Sequence, residues 1–160
     1  VTGGVNGAVI PAATNTNETL YMVRHANAHP TAYFSDGNYV AAGQWRALDI
    51  PNALSGKLNP APTQVYSLDP AQVAVGTENA AGNANWSHLT PALTIEPYAI
   101  ANNLPYNLAA TFLMSDPNGA QETSNFFFTN PAVTGWTNPQ FSGQTFLMDW
   151  EHSQISAAVN

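Results

Sequence analysis

The sequence has no cysteine and only three lysines and arginines among its 160 residues. Without cysteine, disulfides and thiolate metal sites are excluded. The formal net charge of −7 and the scarcity of cations exclude the neutralisation of a long run of phosphates, so we expect no nucleic-acid partner. No stretch approaches the roughly 18 apolar residues that cross a bilayer, and we therefore expect no membrane span.

Charge of either sign is rare, because only 8% of the residues are charged against about a quarter in ordinary soluble domains. Solubility must then depend on uncharged polar side chains, and this composition favours a secreted, periplasmic or cell-surface protein. The chain begins at Val1 without a signal-peptide pattern, which we interpret as the product of leader removal. Apolar residues make up 44% of the chain, enough for one domain with a sizeable core.

Short β-prone runs alternate with helical stretches along the chain. The pattern predicts strands over 19–23, 63–68, 92–100 and 144–152, and helices over 40–54, 70–82 and 118–128. This alternation is typical of crossover connections, so we predict an α/β protein: a three-layer α/β/α sandwich with a mainly parallel central sheet. Residues 1–17, rich in Gly, Asn, Thr and Ala, predict an extended arm before an α/β domain over 18–160.

Two of the predicted strands end in a histidine. The first strand runs into Arg24 and His25, and the last runs into Glu151 and His152. Because ligand sites of open α/β sheets lie outside the carboxyl ends of the strands, we expect the two imidazoles to converge on one cavity beside the guanidinium. An arginine fork suits phosphate, so the sequence predicts an oxyanion pocket there.

Four segments of the chain occur in an order that is similar to that of a known family: "LYMVRH" (20–25), "YVAAGQWRALDI" (39–50), "VYSLDPAQ" (65–72) and "TFLMDWEHSQI" (145–155). This order resembles the histidine phosphatase superfamily, which includes the phosphoglycerate mutases. The matching features are a strand that ends in Arg-His, a helix with an early glycine, a strand that ends in Tyr-Ser, and a second strand that ends in His. The resemblance spans about 19–155. It implies a phosphomonoester hydrolase that acts through a phosphohistidine intermediate, on a small phosphorylated substrate or with inorganic phosphate as ligand.

The resemblance also implies roles for particular side chains. His25 would attack phosphorus while Arg24 holds the phosphoryl oxygens, and His152 would complete the charged pocket. Glu151 is a candidate proton donor, as are Glu122 and Asp116, none of which is placed by a motif.

The chain departs from the family where the second clamp arginine is expected, because Gln72 stands near that position. We expect Gln72, together with His29 at the pocket mouth, to contact the substrate alongside Arg24. Arg46 and Lys57, on or after the first helix, are interpreted as solvated. Relatives also continue past the second histidine, so either the domain lacks their C-terminal elements or those elements lie on another piece.

A metal site is the next alternative. His25 and His29 stand four residues apart and could, with His152, offer three imidazoles. The segment follows a strand and runs into Pro30, however, so we do not expect it to be helical, and Ala26 stands where a zinc protease has its glutamate. We therefore expect no metal and no cofactor.

A second hypothesis comes from a different functional class. The chain would be a structural or self-assembling extracellular protein that keeps the histidine phosphatase fold and lacks its catalysis. The missing arginine, the near absence of charge and the arm over 1–17 motivate this hypothesis, because an extended arm can add a strand to a neighbour's sheet and give a homo-oligomer or polymer. The sequence leaves the enzymatic status open and favours the phosphatase.

Overall fold

The computed structural model of the protein describes residues 16–28, 38–70, 73–75, 85–87, 89–109, 127–128, 141–152 and 155–156. In chain order its elements are β1 (Thr19–Arg24), α1 (Ala41–Leu54), β2 (Gln64–Leu68), β3 (Val73–Val75), β4 (Asn85–Ser87), α2 (Leu89–Ala101), β5 (Tyr106–Ala109) and β6 (Thr145–Trp150). Four strands form a parallel sheet in the order β1-β6-β2-β5. The predicted α/β class with a parallel sheet is confirmed.

The last strand among the described residues, β6, lies inside the sheet, and its two faces supply two separate parts of the core. Side chains alternate along a strand, so Phe146, Met148 and Trp150 share one face while Leu147 and Asp149 share the other. All five are fully buried. Strand β6 is therefore covered on both sides, as expected for a parallel strand.

The two helices pack on the same face of the sheet. Ile95 and Tyr98 of α2 form a buried cluster with Leu147, and Ile50 and Leu54 of α1 pack against it. α1 also packs against α2. The opposite face carries an aromatic cluster that includes Tyr66, Phe127, Phe141, Phe146 and Trp150, with ring centroids 4.8–5.9 Å apart where neighbouring rings pair.

The prediction of a strand over 92–100 is wrong, because this segment belongs to helix α2. Its buried positions include Ala92, Ile95, Tyr98 and Ala99, which repeat at helical spacing although several residue types there favour strands. Pro97 removes one helical donor, and the carbonyl of Leu93 instead lies 3.5 Å from the hydroxyl of Tyr39. The strand of this region is β5, where the sequence analysis predicted no strand.

The helix predicted over 70–82 is also wrong in its first part. Residues Val73–Val75 form β3, which pairs with β4 in an antiparallel ladder, as two β-branched residues in three favour. The helix over 40–54 is confirmed as α1, which continues through Pro51 to Leu54. Most of the helix predicted over 118–128 lies outside the described residues, and residues 127–128 have helical backbone.

Only the last two residues of the predicted arm, Thr16 and Asn17, are described; residues 1–15 lie outside the described part of the chain. Thr16 is tied to the turn before β6: its carbonyl accepts a hydrogen bond from the Gly143 N–H at 2.8 Å, and its N–H donates to the Ser142 hydroxyl at 3.1 Å. Among the described residues, no helix has the length and apolar character of a membrane-spanning segment.

Candidate functional site

The pairing of β1 with β6 sets the position of the site. Arg24 is aligned with Trp150 in this parallel ladder, so the residues that follow each strand leave the sheet side by side. The rings of His25 and His152 lie with their centroids 5.7 Å apart at an interplanar angle of 54°. The structure therefore brings together two histidines that are 127 positions apart in the sequence.

The ring of His25 is held in one orientation. Its Nδ1 lies 2.8 Å from the carbonyl oxygen of Ala26, and since a carbonyl oxygen only accepts, Nδ1 carries the proton. In the neutral ring, the lone pair is then on Nε2. Burial is the main cause that lowers the pKa of His25 from its ordinary value of 6.5; the bond to Ala26 opposes this shift, and the positive charge of Arg24 adds to it. His25 is thus a neutral imidazole at neutral pH.

The second histidine is positioned by the residue before it. Nδ1 of His152 lies 2.5 Å from Oε1 of Glu151. The side chain of Glu151 is 2% exposed whereas that of His152 is 57% exposed, so a buried carboxylate anchors an imidazole that faces solvent. The carboxylate accepts a hydrogen bond from Nδ1–H, and this bond directs Nε2 of His152 away from Glu151.

Both helices hold the loop after β1. The N–H of Ala26 donates to the hydroxyl of Thr94 in α2 at 2.9 Å, and this hydroxyl donates to the carbonyl of Thr90 at 2.6 Å. The carbonyl of Asn27 accepts a hydrogen bond from the N–H of Val40, just before α1, at 3.0 Å. These bonds fix the backbone on which His25 stands.

A cleft of about 350 Å³ opens between this loop and α1. Arg24, His25 and Asn27 line one side of it, and Arg46 and Asp49 of α1 line the other. The guanidinium Nη1 of Arg46 donates to Oδ1 of Asn27. Arg46 is exposed, as the sequence analysis expected, and it also lines the same cleft as Arg24 and His25.

Sequence reasoning missed Arg46 and Asp49 as site residues, yet α1 carries a signal for Arg46. Arg46 is three residues after Gly43 and directly before Ala47, both of which are buried. Helical spacing thus places Arg46 at the border of the buried face rather than opposite it.

Gly43 permits the close approach of α1 to the loop. A Cβ at this position would overlap the carbonyl oxygen of Asn27 and would lie 2.6 Å from Cβ of Tyr39. Only glycine fits this contact without a shift of the backbone. The glycine therefore brings Arg46 within reach of Asn27.

A buried carboxyl group lies in β6 close to the site. Asp149 is aligned with Val23 in β1 and with Ser67 in β2, and it is fully buried. Within the described part of the chain, neither carboxyl oxygen has a hydrogen-bond partner. Burial raises its pKa well above the ordinary value of 3.8, so the folded protein favours the protonated acid.

Four further residues are predicted at or near the site. His29 and Gln72, the expected additional substrate contacts, lie outside the described residues, as do the alternative proton donors Asp116 and Glu122. The described site thus consists of Arg24, His25, Glu151 and His152 from the predicted set. Arg46, Asp49 and Thr94 are added to it by the structure.

A comparison of the chain with protein-family models finds no matching family, and a comparison with curated proteins finds no matching relative. The function is therefore inferred from the geometry of the described residues. That geometry offers one buried neutral imidazole, a second imidazole paired with a carboxylate, and two guanidinium groups on an adjoining cleft.

Proposed function

We propose that the chain is a phosphomonoester hydrolase that forms a phosphohistidine on His25, as its resemblance to the histidine phosphatase superfamily implies. The convergence of His25 and His152, 5.7 Å apart at the carboxyl edge of the sheet, carries this proposal. Arg24 lines the same cleft as His25 and supplies a bidentate donor for phosphoryl oxygens.

The nucleophile is Nε2 of His25. The hydrogen bond from Nδ1–H to Ala26 supports this assignment, because it leaves the lone pair on Nε2. Attack on phosphorus forms an N–P bond and breaks the ester P–O bond, so that the alcohol departs with one proton. Water then attacks phosphorus, so that a P–O bond forms while the N–P bond breaks; the proton lost from water restores the acid, inorganic phosphate leaves and neutral His25 is restored.

Positive charge around the transferring oxygens is the second requirement of phosphoryl transfer. Arg24 and Arg46 line one cleft with His25, and we assign Arg46 to the place of the clamp arginine that the chain lacks near Gln72. His152 adds a further positive charge when it is protonated, and its Nδ1 contacts Oε1 of Glu151.

Two carboxyl groups are candidates to protonate the leaving alcohol. Glu151 contacts His152, and Asp49 lines the cleft one turn of α1 beyond Arg46. An aryl alcohol leaves readily as an anion and needs no proton, whereas an alkyl alcohol needs one. Loss of the proton donor therefore impairs the hydrolysis of an alkyl phosphate more than that of an aryl phosphate. We assign the role to Glu151 acting through His152: the protonated imidazole that Glu151 positions gives its proton to the alcohol, so we expect Glu151→Gln to impair alkyl more than aryl phosphate hydrolysis, with Asp49→Asn as the comparison.

The proposal includes the fuller architecture of the superfamily. The sheet would be the middle layer of a three-layer α/β/α sandwich, with α1 and α2 on one face and further helices on the aromatic face. The helical backbone at 127–128 and 155–156 supports this arrangement, because Phe127, Phe128 and Ile155 pack in the aromatic cluster. A location outside the cytoplasm remains the proposal that the low charge of the sequence favours.

The experiment is a phosphate-release assay with an aryl phosphate. His25→Ala is expected to abolish turnover, and His88→Ala, which removes a histidine that the proposed mechanism does not use, is the matched control. Protein quenched in alkali after incubation with a substrate labelled in its phosphoryl group is expected to retain label in the wild type and to lack it in His25→Ala, because the N–P bond of phosphohistidine survives alkali and is hydrolysed in acid. Equal rates for wild type and His25→Ala would end the enzymatic proposal.

The role of Arg46 has its own test. Arg46→Gln is expected to raise KM for the aryl phosphate and the inhibition constant of inorganic phosphate by about tenfold or more, as loss of a charge-assisted hydrogen bond implies. Lys57→Gln removes the same charge from the exposed turn after α1 and controls for net charge. Equal effects of the two substitutions would show that Arg46 acts only through the net charge of the protein and does not contact the phosphate.

A further inference from the structure

We infer that His25, Glu151 and His152 also form a binding site for a divalent transition-metal ion such as Zn²⁺. Each of the three side chains offers one ligand atom, and these atoms lie within 4.8 Å of one another. The inference does not depend on the proposed hydrolysis, because it concerns the ligand geometry of the same residues in the absence of substrate.

The orientation of His25 is that of a metal ligand. Histidines that bind metals almost always donate their other ring N–H to a carbonyl or a carboxylate, which fixes the ring and raises its basicity. Nδ1 of His25 has such a partner in the carbonyl oxygen of Ala26 at 2.8 Å. Its Nε2 is then the ligand atom.

Glu151 and His152 supply the other two ligands. Oε1 of Glu151 and Nδ1 of His152 lie 2.5 Å apart, so an oxygen ligand and a nitrogen ligand stand side by side. A metal ion that binds both atoms replaces the contact that joins the two side chains. The carboxylate is almost fully buried, which limits competition from water for this ligand.

The distances require a modest closure of the site. Zinc binds imidazole nitrogen at about 2.0–2.1 Å and carboxylate oxygen at about 2.0–2.2 Å, which places tetrahedral ligand atoms about 3.4 Å apart. No separation between the ligand atoms here exceeds 4.8 Å, so each must shorten by at most about 1.4 Å. His152 can supply this movement by rotation, because its side chain is 57% exposed.

The donor set determines the class of metal. Two imidazoles and one carboxylate favour Zn²⁺, Cu²⁺, Ni²⁺ or Fe²⁺ over Mg²⁺ and Ca²⁺, which prefer sites made of oxygen alone. A metal on Nε2 of His25 occupies the nitrogen that would attack phosphorus. If the proposed hydrolysis holds, such an ion inhibits it reversibly.

The test is calorimetric titration of the substrate-free protein with Zn²⁺. One ion per chain is expected to bind in the wild type and in His88→Gln, and the affinity is expected to fall at least about tenfold in His152→Gln and in Glu151→Gln. Mg²⁺ is expected not to compete. Unchanged affinity in His152→Gln, or a loss confined to His29→Gln, would place the ion elsewhere and overturn the inference.

A spectroscopic measurement on the unaltered chain makes the result independent of any folding defect in the variants. The electron paramagnetic resonance spectrum of the Cu²⁺ form is expected to show coupling to two imidazole nitrogens, and one or none would overturn the inference. Inhibition of phosphate release by Zn²⁺, reversed by a chelator, addresses the shared residues separately. Metal binding without hydrolysis would refute the proposed function alone, and hydrolysis without metal binding would refute this inference alone.

Discussion

Replacement of the buried Asp149 by asparagine is expected to make the protein more stable than the wild type at neutral pH and to have a much smaller effect near pH 3.5. Asp149 is fully buried in β6, and burial raises its pKa well above 3.8. In the unfolded chain the carboxyl ionises near its ordinary pKa of about 3.9. Between these two pKa values, the folded protein binds one proton more than the unfolded protein.

The free energy of unfolding of the wild type therefore falls as the pH rises through this window. The slope approaches about 1.4 kcal/mol for each pH unit while the folded carboxyl keeps its proton. Between pH 4 and pH 6 the contribution reaches about 2.4 kcal/mol while the folded carboxyl keeps its proton, because the unfolded carboxyl is already about half ionised at pH 4. Asparagine has nearly the same shape and does not titrate, so Asp149→Asn lacks this contribution.

Urea unfolding at pH 4, 5 and 6, followed by tryptophan fluorescence, measures the difference. The fully buried Trp150, next to Asp149 in the chain, provides a core reporter. Asp49→Asn removes the same charge from an exposed position and reports the effect of net charge alone. Parallel pH profiles for wild type and Asp149→Asn would show that burial does not perturb this carboxyl, and the reasoning would be refuted.

Gly43→Ala is expected to destabilise the protein by about 1–3 kcal/mol, because the added Cβ would overlap the carbonyl oxygen of Asn27. An unchanged melting temperature would contradict this close approach. Ile95→Ala, at a fully buried position in α2, is expected to lower the free energy of unfolding in urea by about 2–5 kcal/mol, whereas Ile100→Ala, at a position 72% exposed, is expected to lower it by less than about 1 kcal/mol. Similar losses would show that α2 does not pack on the sheet through Ile95. Because burial lowers the pKa of His25, kcat/KM for an aryl phosphate is expected to hold from pH 7 down to 6.5 and to fall only at lower pH; an acid limb above pH 6.5 would contradict a neutral nucleophile.

Strands β1, β2 and β6 could be predicted because each is a short apolar run with polar residues or turn residues at its ends. The error at α2 has a physical cause. Threonine, isoleucine and tyrosine favour strands on average, but burial on the face toward the sheet stabilises them at helical spacing as well. β5 was missed because it has only four residues and includes Asn107 and the exposed Leu108.

The residues of the candidate site also fall into a group that the sequence predicts and a group that it does not. Arg24, His25, Glu151 and His152 could be predicted because each pair follows a strand, and residues that follow parallel strands leave the sheet at one edge. Arg46 could not be assigned to that edge from α1 alone. Its place depends on a hydrogen bond to Asn27, 19 residues earlier, and on the close approach that Gly43 permits.

The sequence by itself determined the α/β class, the parallel sheet and the residues that stand at the ends of its strands, because these features follow from local patterns of apolar and polar residues. Only the tertiary structure decided that β1 and β6 are neighbours, that a second arginine faces the cleft and that Asp149 is buried in the central part of the sheet. The physical reason is that strand order and helix packing depend on contacts between distant segments, and the pattern within one segment carries no information about which distant segment will cover it.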